Sequence, residues 1–228
     1  MFTTAVLRNV PLFAGMTEQE LQILAGSLGR RTFAKGMIIF HKEGLGRQLY
    51  IIESGKVRIF VLSESGQEIS VNIYGPGEIF GELSLLDGLP RSAGAIALEK
   101  TVTLTLDRQD FVRYLRTLPG MAPSIIEGLS KCLRYTTQFA ESLAFLDVYG
   151  RVAAKLLELA DRYGVQEGPG ETPIELRLTQ TELATWVVAS RETVNKVLGA
   201  FRDQNLIEID GQGITILDQL GLKARILY

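Results

Sequence analysis

Cysteine and histidine are the scarcest side chains with metal or redox chemistry in this sequence, which has one of each, Cys132 and His41. A single cysteine cannot close a disulfide within the chain or hold an iron–sulfur cluster. A single histidine excludes a metal site built from several histidines of one chain. We therefore expect no metal, and no catalytic Cys–His pair, because the two residues lie far apart in unlike sequence contexts.

Long apolar runs are also absent, and no stretch approaches the ~20 residues that a membrane-spanning helix needs. The N-terminus lacks the basic-then-apolar pattern of a signal peptide, so we expect a cytoplasmic protein. The 24 basic and 26 acidic side chains give a formal net charge of −2. This balance argues against a generally basic nucleic-acid coat, so any DNA binding would use a local patch and helix ends.

One short apolar stretch, residues 80–93, carries a concentrated set of polar groups. Glu82 and Arg91 lie nine positions apart, with Gly81 before the acid and Ser92 after the base. An arginine fork suits a phosphate, and a carboxylate accepts from a ribose hydroxyl. These residue types predict a buried pocket for a small phosphorylated nucleoside. An internal Glu82–Arg91 ion pair that braces a tight turn is the alternative, and the residue chemistry leaves both open.

The first half of the chain has the pattern of a small antiparallel β domain. Thr17 and Glu20 form a capping box that predicts a helix from Glu18 to about Leu28. Short apolar runs separated by glycine-bearing turns then predict a barrel or roll, and a further helix should start after Asp107. The runs occupy residues 37–40, 49–52, 57–62, 69–74, 95–98 and 102–106.

A long helix is predicted from Ser124, after a break over residues 119–123. Its apolar positions alternate in spacings of four and three, which is typical of two helices that coil together. The pattern favours a homodimer over an amphipathic helix packed on its own domain. Thr136 interrupts the seam beside Thr137, so both hydroxyls are candidates for ligand contact. The seam consists of Ile125, Leu129, Cys132, Thr136, Phe139, Leu143 and Leu146.

The last third predicts a winged helix-turn-helix. Asp147 can cap a helix over residues 148–163, followed by a loop over 164–173 and a short strand over 174–178. A second capping box, Thr179 with Glu182, starts a helix that runs to Trp186. A short turn and a helix after Ser190 follow, with Arg191, Glu192, Asn195, Lys196 and Gly199 facing outward. Apolar runs at 206–209 and 214–217 flank a turn at 210–213 and predict a β-hairpin.

With these motifs in place, the sequence resembles the cyclic AMP receptor protein (CRP/FNR) family of bacterial transcription regulators over residues 10–217. Residues 80–97 are similar to the phosphate-binding cassette of that family. Thr136-Thr137 and residues 143–147 resemble its central helix and hinge, and residues 190–194, Ser-Arg-Glu-Thr-Val, resemble the start of its recognition helix.

The resemblance implies an α+β fold in three parts. Residues 1–118 would form an N-terminal antiparallel β-roll that binds a cyclic nucleotide. Residues 119–146 would form a coiled-coil dimerisation helix, and residues 147–228 a C-terminal winged helix-turn-helix domain that binds DNA. The implied function is a cyclic-AMP-responsive transcription regulator that acts as a homodimer and has no enzymatic activity.

The resemblance also implies roles for the cassette. Arg91 would pair with the cyclic phosphate, helped by Ser92 and backbone amides near Ser84, while Glu82 would accept from the ribose 2′-hydroxyl. Thr136 would meet the adenine, and Thr137 would do so from the second copy of the chain. The implied cyclic AMP site consists of Gly81, Glu82, Leu83, Ser84, Arg91, Ser92, Thr136 and Thr137.

For DNA, the resemblance implies that Arg191 reads guanine, that Glu192 accepts from cytosine and that Lys196 is a third base reader. Gln180 and Thr181, at a helix N-terminus, suit phosphate contacts. The implied DNA-binding set consists of Thr179, Gln180, Thr181, Ser190, Arg191, Glu192, Asn195 and Lys196. Its target would be a near-palindromic double-stranded operator, and the loop at 164–172 would contact RNA polymerase.

The sequence departs from the family pattern at two positions. Lys196 stands where the family often has arginine, so discrimination at that base pair should be looser. Val188 stands where the turn between the two helices usually contains glycine, and a β-branched residue resists a positive φ. We therefore expect an altered or strained turn.

Several alternatives remain open from the sequence. The same architecture could respond to cyclic GMP or cyclic di-GMP, or be active without an effector. A cupin-type barrel enzyme would need several histidine and carboxylate ligands, which one histidine does not supply. A plain oligomerisation module would leave the face from Arg191 to Lys196 without a role.

Overall fold

The computed structural model describes residues 7–8, 10, 13, 15–165, 171–176, 178–211 and 213–226. The chain divides into two compact units, Met1–Leu133 and Arg134–Tyr228. The elements in chain order are α1 (Glu18–Ala25), β1 (Gly29–Phe33), β2 (Ile38–Phe40), β3 (Gln48–Ser54), β4 (Val57–Leu62), β5 (Glu68–Tyr74), β6 (Ile79–Phe80), α2 (Leu83–Asp87), β7 (Gly94–Ala97), β8 (Thr101–Asp107), α3 (Arg108–Thr117), α4 (Met121–Phe145), α5 (Val148–Tyr163), β9 (Thr172–Ile174), α6 (Gln180–Val187), α7 (Arg191–Asp203), β10 (Ile207–Asp210), β11 (Gly213–Ile216) and α8 (Gln219–Lys223).

The first unit is a roll of two antiparallel four-stranded sheets, ordered β1-β8-β3-β6 and β2-β7-β4-β5. All six apolar runs predicted as strands are strands of this roll. Two further strands, β1 and β6, had no sequence signal. β1 follows from its pairing with β8, in which Gly29 lies opposite Thr105 and Phe33 opposite Thr101.

Strand β3 is buried on both faces, because side chains on a strand alternate between its two sides. Tyr50 and Ile52 face the roll interior with Phe33 and Phe80. Leu49 and Ile51 face a second core shared with helices α1, α3 and the start of α4. This double burial explains the near-continuous apolar sequence of β3.

Helix α1 begins at the predicted capping box: Thr17 Oγ1 accepts from the Glu20 amide, and a Glu20 oxygen accepts from the Thr17 amide at 2.7 Å. These hydrogen bonds lower the pKa of Glu20. Helix α3 follows Asp107 as predicted, but the Asp107 carboxylate accepts from Gln48 Nε2 at 2.7 Å and does not cap the helix.

Helix α4 begins at Met121, three residues before the predicted start at Ser124. The break predicted over residues 119–123 was too long and ends at Gly120, because Pro123 lies in the first turn of the helix, where proline loses no intrahelical hydrogen bond. Ile125, the first predicted seam residue, is 4% exposed and belongs to the core of its own unit. The predicted seam therefore begins inside the first unit.

The second unit contains α5 to α8 and a three-stranded antiparallel sheet ordered β10-β11-β9. Asp147 caps α5 by accepting from the Gly150 amide at 2.8 Å, as predicted. The hairpin between β10 and β11 is also confirmed. The strand predicted at 174–178 was misplaced, because β9 covers Thr172–Ile174 and Leu176 is buried without being part of a strand.

None of the described helices is both long enough and apolar enough to span a membrane.

Candidate ligand site and nucleic-acid interface

Arg91 is a buried cation at the centre of the predicted cassette, with 5% of its surface exposed. Its Nη1 donates to Ser84 Oγ at 2.9 Å and to the carbonyl oxygen of Gly81, and its Nη2 donates to the carbonyl oxygen of Gln48 at 2.5 Å. The buried Nε–H has no hydrogen-bond partner among the described residues. All three acceptors are uncharged, so the guanidinium is desolvated without being neutralised, and burial lowers its pKa.

Two glycines let the backbone approach this guanidinium. Gly81 has φ +79°, and a Cβ there would lie 2.6 Å from Arg91 Nη1. A Cβ on Gly46 would lie 1.9 Å from Ser84 Oγ and 3.3 Å from Arg91 Cζ. The two glycines lie in different loops, so tertiary folding makes this cradle.

Aromatic rings line one side of the guanidinium. Arg91 Cζ lies 4.2 Å from the centre of the Phe40 ring and 6.0 Å from that of Tyr50. Tyr50 stacks on Phe80, with the ring centres 5.0 Å apart and an interplanar angle of 11°. These rings hold the cation in a low-dielectric environment, in which its attraction for an anion is strengthened.

Glu82 lies at the N-terminal cap of α2 and is half-buried. Burial raises the pKa of its carboxyl, opposed by smaller effects of its own backbone amide and of the Arg91 charge. Within the described part of the chain, Glu82 and Arg91 form no hydrogen bond or ion pair. The ion pair that the residue chemistry left open is therefore not formed in this conformation.

The remaining predicted ligand residues fall into two groups. Ser84 is buried against Arg91, whereas Leu83, at the start of α2, and Ser92 are exposed. Thr136 and Thr137 lie on α4 within the second unit and are also exposed. The structure therefore brings Gly81, Ser84 and Arg91 together, while the roles of the two threonines stay predictions.

The pKa of the Tyr74 hydroxyl, on β5, is raised, mainly by burial and further by electrostatic interaction with Cys132 and Glu82.

The helix-turn-helix has the predicted elements. Thr179 and Glu182 form a second capping box at the start of α6. Ser190 caps α7, where its Oγ accepts from the Thr193 amide at 3.1 Å. Val188, between the helices, has φ 50° and ψ 57°, so this β-branched residue adopts the left-handed conformation that usually favours glycine.

The two faces of α7 differ sharply. Val194, Val197, Leu198 and Phe201 are buried. Gly199 is half-buried, and no atom lies within 4 Å of an added Cβ there. The opposite face carries charged and amide groups, none of which forms an ion pair in the part of the chain that the structure describes. These exposed residues are Arg191, Glu192, Asn195 and Lys196.

The α6 side of the predicted interface is also exposed, and it consists of Thr179, Gln180 and Thr181. Thr179 Oγ1 donates to Glu182 at 2.8 Å and accepts from its amide, so its hydroxyl already serves the helix cap. The hydroxyl of Ser190 likewise caps a helix, because it accepts from the Thr193 amide at the start of α7. Gln180 and Thr181 have side chains that can reach outward from the helix N-terminus.

Sequence comparison relates both units to known domains. The family model for the cyclic nucleotide-binding domain matches residues 30–117, and that for the Crp-like helix-turn-helix domain matches residues 150–225. The CRP-like cAMP-activated global transcriptional regulator of Mycobacterium tuberculosis is 36% identical over 220 residues, which cover 96% of this chain and 98% of that protein. The chain belongs to the CRP/FNR family. It is therefore a DNA-binding transcription regulator and not an enzyme.

Two further proteins extend the comparison. The cyclic AMP receptor protein of Thermus thermophilus is 35% identical over 222 residues, or 97% of this chain and 99% of that protein. The structure of the c-di-GMP responsive global regulator CLP from Xanthomonas campestris matches with a TM-score of 0.76, at 24% identity, over 89% of this chain and 99% of that chain. The last comparison shows a shared fold.

Sequence reasoning missed several residues around Arg91 in this CRP/FNR chain. Gly46 was noted only as a turn residue, and Gln48 contributes through its backbone carbonyl, which no side-chain motif reveals. Phe40 and Tyr50 had the pattern of ordinary strand residues. The one available signal was the pair of glycines at 44 and 46 before a buried strand, which is consistent with a close backbone approach.

Proposed function

We propose that this CRP/FNR regulator responds to cyclic AMP through the cassette around Arg91. The observation that carries the proposal is a buried guanidinium with three uncharged acceptors and an Nε–H that has no hydrogen-bond partner in the described part of the chain. A buried charge of this kind is costly, and a bound phosphate would neutralise it through charge-assisted hydrogen bonds. Cyclic AMP is favoured over other cyclic nucleotides because the names of the M. tuberculosis and T. thermophilus relatives refer to it.

The other ligand contacts follow the same proposal. Glu82 accepts from the ribose 2′-hydroxyl, and Ser92 and the amides of Leu83 and Ser84 donate to the phosphate. The family resemblance gives Thr136 the contact with the adenine, and Thr137 the same contact from the second copy of the chain.

The effector is tested by calorimetry with cyclic AMP, cyclic GMP and cyclic di-GMP. The third is included because a relative of the same fold is c-di-GMP responsive. We expect cyclic AMP to bind most tightly of the three. Arg91→Gln should make the free energy of cyclic AMP binding less favourable by about 2 kcal/mol or more. Arg30→Gln, which removes an exposed arginine paired with Glu53, serves as the charge control. Tighter binding of another nucleotide by the unaltered protein would overturn the assignment.

Homodimerisation through α4 is the second part of the proposal. Apolar side chains remain exposed along this helix, with Ile126 at 63% and Leu133 at 68%. These two positions are seven residues apart, and each lies one residue beyond a predicted seam position, Ile125 or Cys132, so the exposed stripe is offset from that part of the predicted seam. Thr136 and Leu143 of the predicted seam continue the stripe at heptad spacing. A second copy of the chain would bury this stripe and bring its own Thr137 to the nucleotide.

DNA reading is proposed to lie on the exposed face of α7. Arg191 contacts guanine, Glu192 accepts from cytosine, and Lys196 supplies a single donor to a third base pair. Asn195 lies on the same face, and Gln180 and Thr181 contact phosphates beside it. In a dimer the two recognition helices would match half-sites about 34 Å apart, so the operator would be close to palindromic.

The DNA proposal is tested by selection from a random duplex library, with and without cyclic AMP. We expect a near-palindromic site that is enriched only with the nucleotide, since ligand would shift the population toward the DNA-binding state by a rotation near Leu146 and Asp147. Arg191→Ala should relax one position of that site and cost about 1–3 kcal/mol, with nucleotide binding unchanged. Equal selection in both conditions would reject ligand control. Contact with RNA polymerase through the loop at 164–172 stays a prediction, since residues 166–170 lie outside the described part.

A further inference from the structure

A wide cleft in the first unit lies beside Arg91 but does not include the remaining cassette residues. Its volume is about 840 Å³, and its charged lining includes Arg31, Arg47, Arg91 and Arg108. Gly81, Glu82, Leu83 and Ser92 do not line it. The cleft and the cassette therefore share Arg91 and the residues packed around it, Phe40, Gln48 and Tyr50, whereas Arg31, Arg47 and Arg108 line the cleft alone.

The charge of this cleft is strongly unbalanced. Asp107 is its carboxylate, and that group accepts a hydrogen bond from Gln48 at 2.7 Å. Within the described residues, Arg31, Arg47 and Arg108 form no ion pair. The neighbouring Arg30, by contrast, pairs with Glu53 at 2.7 Å and does not line the cleft. Arg30 and Arg31 are successive residues of β1. Arg30, which pairs with Glu53, lies outside the cleft, whereas Arg31, which has no ion pair among the described residues, lines it.

The walls of the cleft also offer apolar and aromatic surface. Phe40 and Tyr50 line it together with Leu45, which is 79% exposed. Arg91, whose buried Nε–H has no hydrogen-bond partner among the described residues, also lines it. Such a combination suits a ligand with a flat apolar part and several negative charges, and the volume lies within the range of small-molecule sites.

We propose that this arginine cleft is a second ligand site, which binds a nucleotide-sized organic polyphosphate. The phosphates lie among Arg31, Arg47 and Arg108, and the organic part lies against Phe40 and Tyr50. The proposal does not depend on cyclic AMP as the effector, because its principal contacts lie outside the cassette.

The test is calorimetry of the full-length protein with ATP as the probe, in metal-free buffer, with and without saturating cyclic AMP. Inorganic tripolyphosphate serves as a second probe that lacks the base. We expect ATP to bind at one site per chain under both conditions, and tripolyphosphate to bind more weakly because it makes no contact with the rings. The double variant Arg31→Gln/Arg108→Gln should lower the affinity for ATP by about tenfold or more, since two charge-assisted contacts are lost.

The control is Arg30→Gln/Arg116→Gln, which removes two exposed arginines outside the cleft. This variant should change ATP affinity by no more than about twofold. Thermal unfolding of all proteins verifies that the fold is intact. The proposal is overturned if ATP does not bind at millimolar concentration, if cyclic AMP displaces it molecule for molecule, or if both double variants weaken it equally. Failure of cyclic AMP to bind would affect only the cassette, since ATP is also titrated alone.

Discussion

Gly46 lies so close to Ser84 that a methyl carbon placed on it would be 1.9 Å from Ser84 Oγ and 2.4 Å from Ser84 Cβ. Ser84 is 4% exposed, and its Oγ accepts from Arg91 Nη1 at 2.9 Å. The loop before β3 therefore fixes the position of the hydroxyl that helps to hold the cassette arginine.

Gly46→Ala is expected to displace Ser84 and to break its hydrogen bond to Arg91. We expect a loss of about 1–3 kcal/mol in the free energy of unfolding, as for other overpacked sites, and weaker cyclic nucleotide binding. Urea unfolding and calorimetry measure the two effects. In a protein that carries Ser84→Gly, Gly46→Ala should lower the free energy of unfolding by clearly less, because Ser84 Oγ and Cβ are both absent. An equal loss of stability from Gly46→Ala with and without Ser84→Gly would show that the contact between residues 46 and 84 does not cause the destabilisation.

The free energy of unfolding of Val188→Gly is expected to exceed that of Val188→Ala by about 1 kcal/mol. Val188 has φ 50°, where any Cβ is strained and glycine is not. The comparison with alanine removes the effect of losing the valine methyl groups, since both variants lack them. Urea unfolding at neutral pH measures the difference. A glycine variant less stable than the alanine variant would contradict strain in this turn.

Lys155, on α5, is buried between the long helix and the helix-turn-helix. Its Nζ lies 3.9 Å from the centre of the Trp186 ring and donates to Tyr135 Oη at 3.0 Å and to Glu158 at 2.5 Å. Burial lowers the pKa of Lys155 to about 8, although Glu158 acts in the opposite direction and Arg162 adds to the lowering. The charged form is therefore disfavoured in the folded state.

The stability of the protein should rise with pH above 8 because of Lys155. Below that pH the lysine is protonated in both states, and the full cost of burying the charge is present. Between pH 8 and about 10.4 the folded state releases its proton before the unfolded state does, so deprotonation favours folding. Urea unfolding across this interval should show that the stability of Lys155→Met relative to the unaltered protein falls by about 3 kcal/mol. Parallel pH profiles would contradict this, and Lys131→Met, at an exposed site on α4, is the control.

Leu133→Glu is expected to convert a dimer into monomers, because a charge would replace an apolar side chain at the centre of the proposed α4 interface. Leu133 is 68% exposed in the single chain, so the substitution should leave the fold of that chain intact. Sedimentation measures the mass, and circular dichroism verifies the helix content. Leu220→Glu, at a position that is 76% exposed on α8, should remain dimeric. A Leu133→Glu protein of unchanged mass would locate the dimer contact elsewhere.

The strands that local sequence predicts are those with apolar runs, and the strands that it misses are those held by their partners. β1 has the sequence Gly-Arg-Arg-Thr-Phe and four exposed positions, so only its pairing with β8 makes it a strand. β9 contains Pro173, which argues against a strand in isolation. It is tolerated because β9 lies at the edge of the sheet, next to β11.

The sequence by itself determined the capping boxes, the strand runs of the roll, the two-faced α7 and the residue types of the cassette. These features depend on neighbours within a few positions, for which spacing and propensity carry the information. Only the tertiary structure decided what surrounds Arg91. Gly46, Gln48, Gly81 and Ser84 come from separate loops and strands, and the closeness of their atoms to the guanidinium depends on how the two sheets close on each other.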